Sequence, residues 1–439
     1  MTPGAEAGAR DGDGGASARL DLDRLLDDPA TRIVVCCGSG GVGKTTTAAA
    51  FGLRAAERGR DVVVLTIDPA RRLAQSLGLT ELDNTPREVD GIDKAAGGRL
   101  SAMMLDMKRT FDEIVLEHAD PARAKQILDN PFYQSLSASF AGTQEYMAME
   151  KLGQLRSRGG WDLIVVDTPP SRSALDFLDA PDRLGSFLDG KLIKVLSAPA
   201  RVGGLGAFRL LSGGVGLVTG ALGKILGSNL LGEVQSFIAA LDTMFGGFRE
   251  RAERTYQLLR DEGTAFVVVA APEPDALREA SYFTERLATD RMPLAGVVLN
   301  RVHRPTAELT AERALAAAEQ LWPQENADAE AEAGAYAAPD DSANDLADDL
   351  ADGDGGAEDE ARDVDGDEAG AGEPGDDSRR LAAALLRLHA ERVRLARREA
   401  RLTGGFLAGR PGIPVLELAA LAEDVHDLGG LREILAAVG

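Results

Sequence analysis

The sequence predicts a doubly wound α/β fold on a mostly parallel sheet, and three observations predict it. Unbroken Val/Ile/Leu runs recur along the chain, stretches with helical spacing separate them, and the first run leads straight into a glycine-rich turn and a helix. A strand covered on both faces by crossover helices reads as a continuous apolar run, whereas a half-exposed strand alternates.

The elements follow in order. IVVCCG, from Ile33, is the first strand, and Gly38 to Thr45 is the turn. TTTAAAFGLRAAE is rich in helix formers and supplies the helix. DVVVLTIDPA (Asp61 to Ala70) reads as a second strand ending in Asp68, with Pro69 suited to a first helical position. WDLIVVDTPP (Trp161 to Pro170), TAFVVVAAPEP (Thr264 to Pro274), LAGVVLNRV (Leu294 to Val302) and IPVLELA (Ile413 to Ala419) give four more strands. Helical spacing replaces the strand pattern at about 106–154 and 181–260, which predicts a helical subdomain inserted above the sheet. In open α/β sheets ligands sit outside the carboxyl ends of the strands, where Gly38, Asp68, Asp167 and Asn300 all fall.

Charge sets the domain organisation. The 439 residues carry a net charge of −23, yet the segment from Glu325 to Asp377 holds 21 acidic residues against one arginine, Arg362, so nearly all of the imbalance is local. That segment is rich in Ala, Gly and Asp and poor in large apolar groups, so burial cannot offset its ordering entropy. Its DGDG patches do not complete a calcium loop. The expected organisation is a disordered tail at 1–30, an α/β core at 31–324 that includes the helical subdomain, an acidic disordered insertion at 325–380, and a C-terminal helix and last strand at 381–439 that complete the core. The basic helix Leu381 to Leu402 presents its arginines to solvent. Residues 210–223, LLSGGVGLVTGALG, carry no charge, and 14 residues are too few to span a bilayer. They are either a buried helix pair or an adaptable apolar surface for a client.

The first residues lack the basic and apolar regions of a secretory signal, and the two cysteines, Cys36 and Cys37, are adjacent in one strand, facing opposite ways. A cytoplasmic location is expected, without disulfides or a cysteine metal site. His118, His303, His389 and His426 are isolated in sequence, and structural or exposed roles are expected of them.

The chemistry lies in the turn. Gly38 to Thr45 has the spacing G-x-x-x-x-G-K-S/T after a strand and before a helix, the order in which backbone N–H groups converge on phosphates. Lys44 then reaches the β and γ phosphates, the Thr45 hydroxyl ligates Mg²⁺, and the helix points its positive end at the same anion. A carboxylate at the strand end, Asp68, suits holding a water in line with the γ-phosphate, although capping the next helix is a competing role.

Three motifs in order, GSGGVGKTTT, IDPARRLAQSLG and VVDTPPS, resemble the deviant Walker A family of P-loop ATPases. Within it they look most like the branch of the arsenical pump motor ATPase and the targeting factor for tail-anchored membrane proteins. The resemblance covers roughly 31–320 and 405–439. It implies a magnesium-dependent ATP-hydrolysing conformational switch that works as a dimer on a membrane component or apolar client, peripheral to the membrane. ATP would be held by Gly38, Gly40, Gly41, Val42, Gly43, Lys44, Thr45 and Thr46. Asp68 would activate the attacking water, Asp167 would hold Mg²⁺ together with Thr45, and Thr168 to Ser173 would form a γ-phosphate sensor. Asn300 matches the asparagine that reads the adenine edge, with a turn or cap role as the competing account. No guanine-reading NKxD or TKxD motif follows a strand, which favours ATP.

Three departures stand out. Ser39 occupies the family's signature lysine position, whose cation, like an arginine finger, is worth about 10³ to 10⁵ in rate. The site therefore turns over slowly, borrows another cation, or pairs with a lysine-bearing paralogue in a heterodimer instead of forming a homodimer. The γ-phosphate sensor reads DTPPSRSALDFL, with Arg172 and Ser173 in place of a glycine and a histidine, and no cysteine set exists for arsenite or zinc. A MinD/ParA-like positioning ATPase and a low-turnover regulatory subunit of a heterodimer are the alternatives; against the first, the acidic C-terminus lacks the basic amphipathic face of a membrane anchor. Nucleic acid is not an expected partner.

Overall fold

The structure is a computed structural model, described here at residues 18–68, 72–130, 133, 143–169, 250–251, 253–305, 307–323, 374–436 and 438. Its strands are β1 (Ile33–Gly38), β2 (Asp61–Thr66), β3 (Arg87–Glu88), β4 (Arg99–Met104), β5 (Leu163–Asp167), β6 (Thr264–Ala270), β7 (Leu294–Val302) and β8 (Val415–Ala419). They form one sheet in the order β3-β4-β2-β5-β1-β6-β7-β8, parallel throughout except for β3 against β4. From β1 the chain builds β2, β3 and β4 on one side, returns to place β5 between β2 and β1, and then adds β6, β7 and β8 on the other side. The turn after β1 therefore sits where the strand order reverses.

The register places the site. Cys36 lies opposite Asp167 across β1 and β5, and Thr66 lies opposite Asp167 across β2 and β5. The last residue of β5 is thus flanked by the ends of both neighbours.

Helices α1 (Leu22–Asp27), α2 (Lys44–Glu57), α3 (Arg72–Ser76), α4 (Met107–His118), α5 (Pro121–Leu128), α6 (Thr143–Arg158), α7 (Pro274–Thr289), α8 (Ala311–Leu321), α9 (Pro374–Ala408) and α10 (Leu428–Ala436) follow in chain order. One apolar cluster joins Val34, Val64, Val165, Val267 and Val298 of the sheet to buried residues of α1, α2, α3 and α10. A second joins Val35, Leu65, Val166, Val268 and Leu299 to α4, α5, α6 and α7. Alternate residues of each strand feed opposite clusters, as the two-fold period of a strand requires. Cys36 and Cys37 divide the same way, both buried and unbridged.

β1, β2, β5, β6, β7 and β8 lie in the apolar runs expected to be strands. β3 and β4 were not foreseen, because Arg99–Met104 reads RLSAMM without a β-branched run, yet Leu100 to Met103 are buried beside β2. β2 stops at Thr66, so Asp68 lies two residues past the strand instead of closing it. The N-terminal segment is ordered earlier than residue 30. α1 is capped by the Asp21 side chain and buries Leu22 and Leu26, which overturns the disordered reading for that stretch.

The chain divides into two compact units, one formed by Met1–Val302 with Ala400–Gly439 and the other by His303–Glu399. In the smaller unit Ala311, Ala314, Ala390 and Val393 form a small core, and His303 meets the Glu399 carboxylate through Nδ1 at 2.8 Å. α9 begins at Pro374, earlier than the expected 381, and exposes Leu381, Leu385 and Leu388. Residues 210–223, the acidic stretch up to 373, and Arg172 with Ser173 lie outside the described residues. No helix among the described residues is long and apolar enough to cross a membrane.

Candidate phosphate-binding site

The phosphate loop is shaped by local necessity. A side chain at Gly38 would place its Cβ 2.1 Å from the Val269 carbonyl oxygen of β6, so only glycine lets β1 and β6 close up beneath the loop. Gly43 caps α2 in the left-handed conformation (φ 89°), which glycine adopts without strain. Gly40 and Gly41 are exposed at the crest, while Val42 and Lys44 are buried. The N–H groups of Gly41, Gly43 and Lys44 find no acceptor among the described residues. Unsatisfied donors at the start of a 14-residue helix make a ready anion site.

Lys44 is 5% exposed and donates from Nζ to the Ser39 carbonyl at 2.7 Å. Burial pulls its pKa below the usual lysine range, and the charges of Asp167 and Asp68 oppose that shift. Ser39 thus contributes its carbonyl to holding the loop's lysine.

Asp167 is fully buried. Its Oδ2 accepts from Thr45 Oγ1 at 2.8 Å and from Thr66 Oγ1 at 2.9 Å, whereas Oδ1, also buried, has no hydrogen-bond partner among the described residues. Burial pushes its pKa up to about 6, against the hydrogen bonds from Thr45 and Thr66 and the Lys44 charge, and Asp68 pushes the same way as burial. Asp68 therefore lies within electrostatic range of both Lys44 and Asp167, and its N–H rests on Thr66 Oγ1 at 3.2 Å.

The residues fit a hard divalent cation. An unpartnered buried carboxylate oxygen beside a threonine hydroxyl is an oxygen donor set of the kind Mg²⁺ takes. Among the described residues no three His, Cys, Asp or Glu side chains cluster to hold a metal alone. Phosphate and water oxygens would complete such a sphere, as is usual for Mg²⁺. The cysteines offer no thiolate, since burial pushes Cys37 up to about 12 and Cys36 well above its ordinary value.

Asn300, buried near the end of β7, donates from Nδ2 to the Val42 carbonyl at 2.9 Å and accepts the Arg301 N–H on Oδ1 at 2.9 Å. In this arrangement the side chain lies on the phosphate loop. Sequence reading missed Thr66, although a hydroxyl closing the apolar run DVVVLT was a visible signal. Thr168, the first residue of the expected γ-phosphate sensor, donates its hydroxyl to the Cys36 carbonyl at 2.9 Å and ties the end of β5 to β1. Thr46 is half-buried in the first turn of α2.

A cradle of bare N–H groups at the switch point of a parallel sheet, with a buried lysine beneath it and a threonine–aspartate pair beside it, puts the molecule among the P-loop nucleoside triphosphatases. The sequence model of the anion-transporting ATPase (ArsA) family matches residues 31–318, and the chain belongs to that family of ATPases. It is 28% identical over 287 residues to the ATPase GET3 of Podospora anserina, covering 65% of this chain and 77% of the relative. The ATPase GET3 of Ajellomyces dermatitidis is 28% identical over 309 residues, 68% of this chain and 81% of its own. For the ATPase get3 of Schizosaccharomyces pombe the identity is 28% over 282 residues, with 64% and 76% covered.

Proposed function

We propose that the carboxyl edge of β1, β2 and β5 binds MgATP and hydrolyses it to drive a conformational switch acting on an apolar client or membrane component. One observation carries the reading: the Lys44–Thr45 pair comes together with Asp68 and Asp167, both distant from it in sequence, beside a loop whose Gly41, Gly43 and Lys44 N–H groups find no acceptor among the described residues.

The residues divide the work. Loop N–H groups from Gly38 to Thr46 and the dipole of α2 hold the phosphates, and Lys44 neutralises charge on the β and γ phosphates. Thr45 and Asp167 would hold Mg²⁺, which supplies positive charge to the phosphate oxygens. Asp68 orients a water toward the γ-phosphate, because phosphoryl transfer is chiefly positioning and electrostatics. The test is single-turnover hydrolysis by the full chain. Asp68→Asn should retain MgATP binding and lose at least a hundredfold in rate, about 2.7 kcal/mol. A rate that Asp68→Asn leaves intact refutes the assignment.

Ser39 motivates the assembly we propose, a heterodimer with a lysine-bearing paralogue whose cation reaches this site. Its main chain already holds Lys44, but its side chain carries no charge to place on a phosphate. Mixing the two chains should raise turnover and yield a heterodimer on sizing; a homodimer with unchanged turnover eliminates the idea. The cytoplasm, with peripheral attachment to a membrane, is the setting this function needs.

A further inference from the structure

We propose that Asn300 is a positioning residue of the phosphate loop, acting through the Val42–Gly43 peptide whatever it contributes to the base. The proposal rests on the reading of this edge as a nucleotide site and specifies how the edge is kept in shape.

The register of β7 against β8 shifts between Leu299 and Val302, which releases Asn300 and Arg301 from regular pairing with β8. Arg301 takes φ 61°, an uncommon conformation for a side-chain-bearing residue, and its N–H is held by Asn300 Oδ1 at 2.9 Å. That bond fixes which end of the amide faces away. Nδ2 is left to meet the Val42 carbonyl oxygen at 2.9 Å, and only the nitrogen end can donate there.

The consequence follows from peptide planarity. In a trans peptide the C=O of Val42 and the N–H of Gly43 point in opposite directions. Fixing the carbonyl on Asn300 therefore turns the Gly43 N–H away from β7, where it has no acceptor among the described residues. Asn300 aims a donor that it does not itself supply. Space is matched as closely, since a Cβ at Gly43 would fall 2.2 Å from Asn300 Nδ2. Gly43 is thus required by contact as well as by its φ.

Base reading and loop bracing make opposite forecasts for a ligand that has phosphates and no base. Titration calorimetry on the full chain, with Mg²⁺, would compare the β,γ-imido analogues of ATP and GTP with inorganic tripolyphosphate. Asn300→Ala, and Asn300→Ser should the first variant fail to fold, should weaken all three ligands, the base-free tripolyphosphate by about tenfold. Weaker ATP-analogue binding with unaltered tripolyphosphate binding would overturn the proposal in favour of base reading. Unchanged binding of all three would overturn it outright. Gly43→Ala gives a second readout, because its cost in tripolyphosphate affinity should shrink in the Asn300→Ala background; full additivity would contradict the contact. A wild-type chain that takes up none of the three refutes the nucleotide site itself, an outcome distinct from either failure of the brace.

Discussion

Two buried cations sit at opposite ends of the same sheet. Arg60, just before β2, is 8% exposed, and Lys44, just after β1, is 5% exposed; burial lowers the pKa of both. Their partners differ. The Arg60 guanidinium donates to four carbonyls, Leu26 at 2.7 Å, Asp28 at 3.2 Å, Thr31 at 2.6 Å and Asp162 at 2.6 Å, so it knits α1, β2 and β5 together. Among the described residues Lys44 has three donors and one acceptor, the Ser39 carbonyl, while Asp167 nearby keeps an unpartnered oxygen. A buried charge satisfied by its own chain is structural. One left short of partners is waiting for a ligand, because leaving such groups unpaired costs more than any fold gains from them.

Exchanging the two cations for neutral residues is the sharpest way to break this contrast. Lys44→Ala should lower kcat/KM for MgATP a thousandfold or more, about 4 kcal/mol, while the melting temperature of the ligand-free chain holds or rises. Arg60→Met should do the reverse, removing about 3 kcal/mol of stability in a urea titration by stranding buried carbonyls. Its MgATP affinity, measured on the folded chain, should match the wild type. Equal effects of both changes on stability would dissolve the distinction.

The next largest effect concerns Asp167. Its folded pKa of about 6 lies above its ordinary value, so the native chain holds a proton that the unfolded chain releases in the window from about pH 4 to 6. Keeping this carboxylate ionised therefore destabilises the ligand-free protein above pH 6, and that cost vanishes as the pH falls through the window. Asp167→Asn should raise ligand-free stability by about 3 kcal/mol at pH 7.5, a gain that fades towards pH 4, as thermal melts across pH would register. MgATP binding should weaken below pH 6 in the wild type, since the proton competes for the same carboxylate. The smallest effect is expected of Thr66→Val, which removes one of two hydrogen bonds to Oδ2 and should cost about 1 kcal/mol of MgATP affinity by calorimetry.

Much of this architecture was legible in the order of residues. The runs ending near Gly38, Thr66, Asp167 and Asn300 marked out the sheet and the edge at which these residues gather, since continuous Val/Ile/Leu segments have few alternatives to a doubly covered strand. β4 escaped because RLSAMM carries no such run, and its burial depends on pairing with β2. The start of α1 escaped because a loose, acidic N-terminal composition masked an Asp21 cap and two leucines placed a turn apart.

Sequence alone determined the chemistry available here: a glycine loop able to bend, a lysine and a threonine at fixed spacing within it, and carboxylates closing or following apolar strands. The fold decided which of these groups meet. Strand register put Thr66 and Cys36 beside Asp167, a bulge aimed Asn300 at Val42, and burial left Asp167 short of a partner. The reason is physical: spacing along a chain governs neighbours within an element, whereas hydrogen bonds between strands and the exclusion of water arise only when distant segments pack.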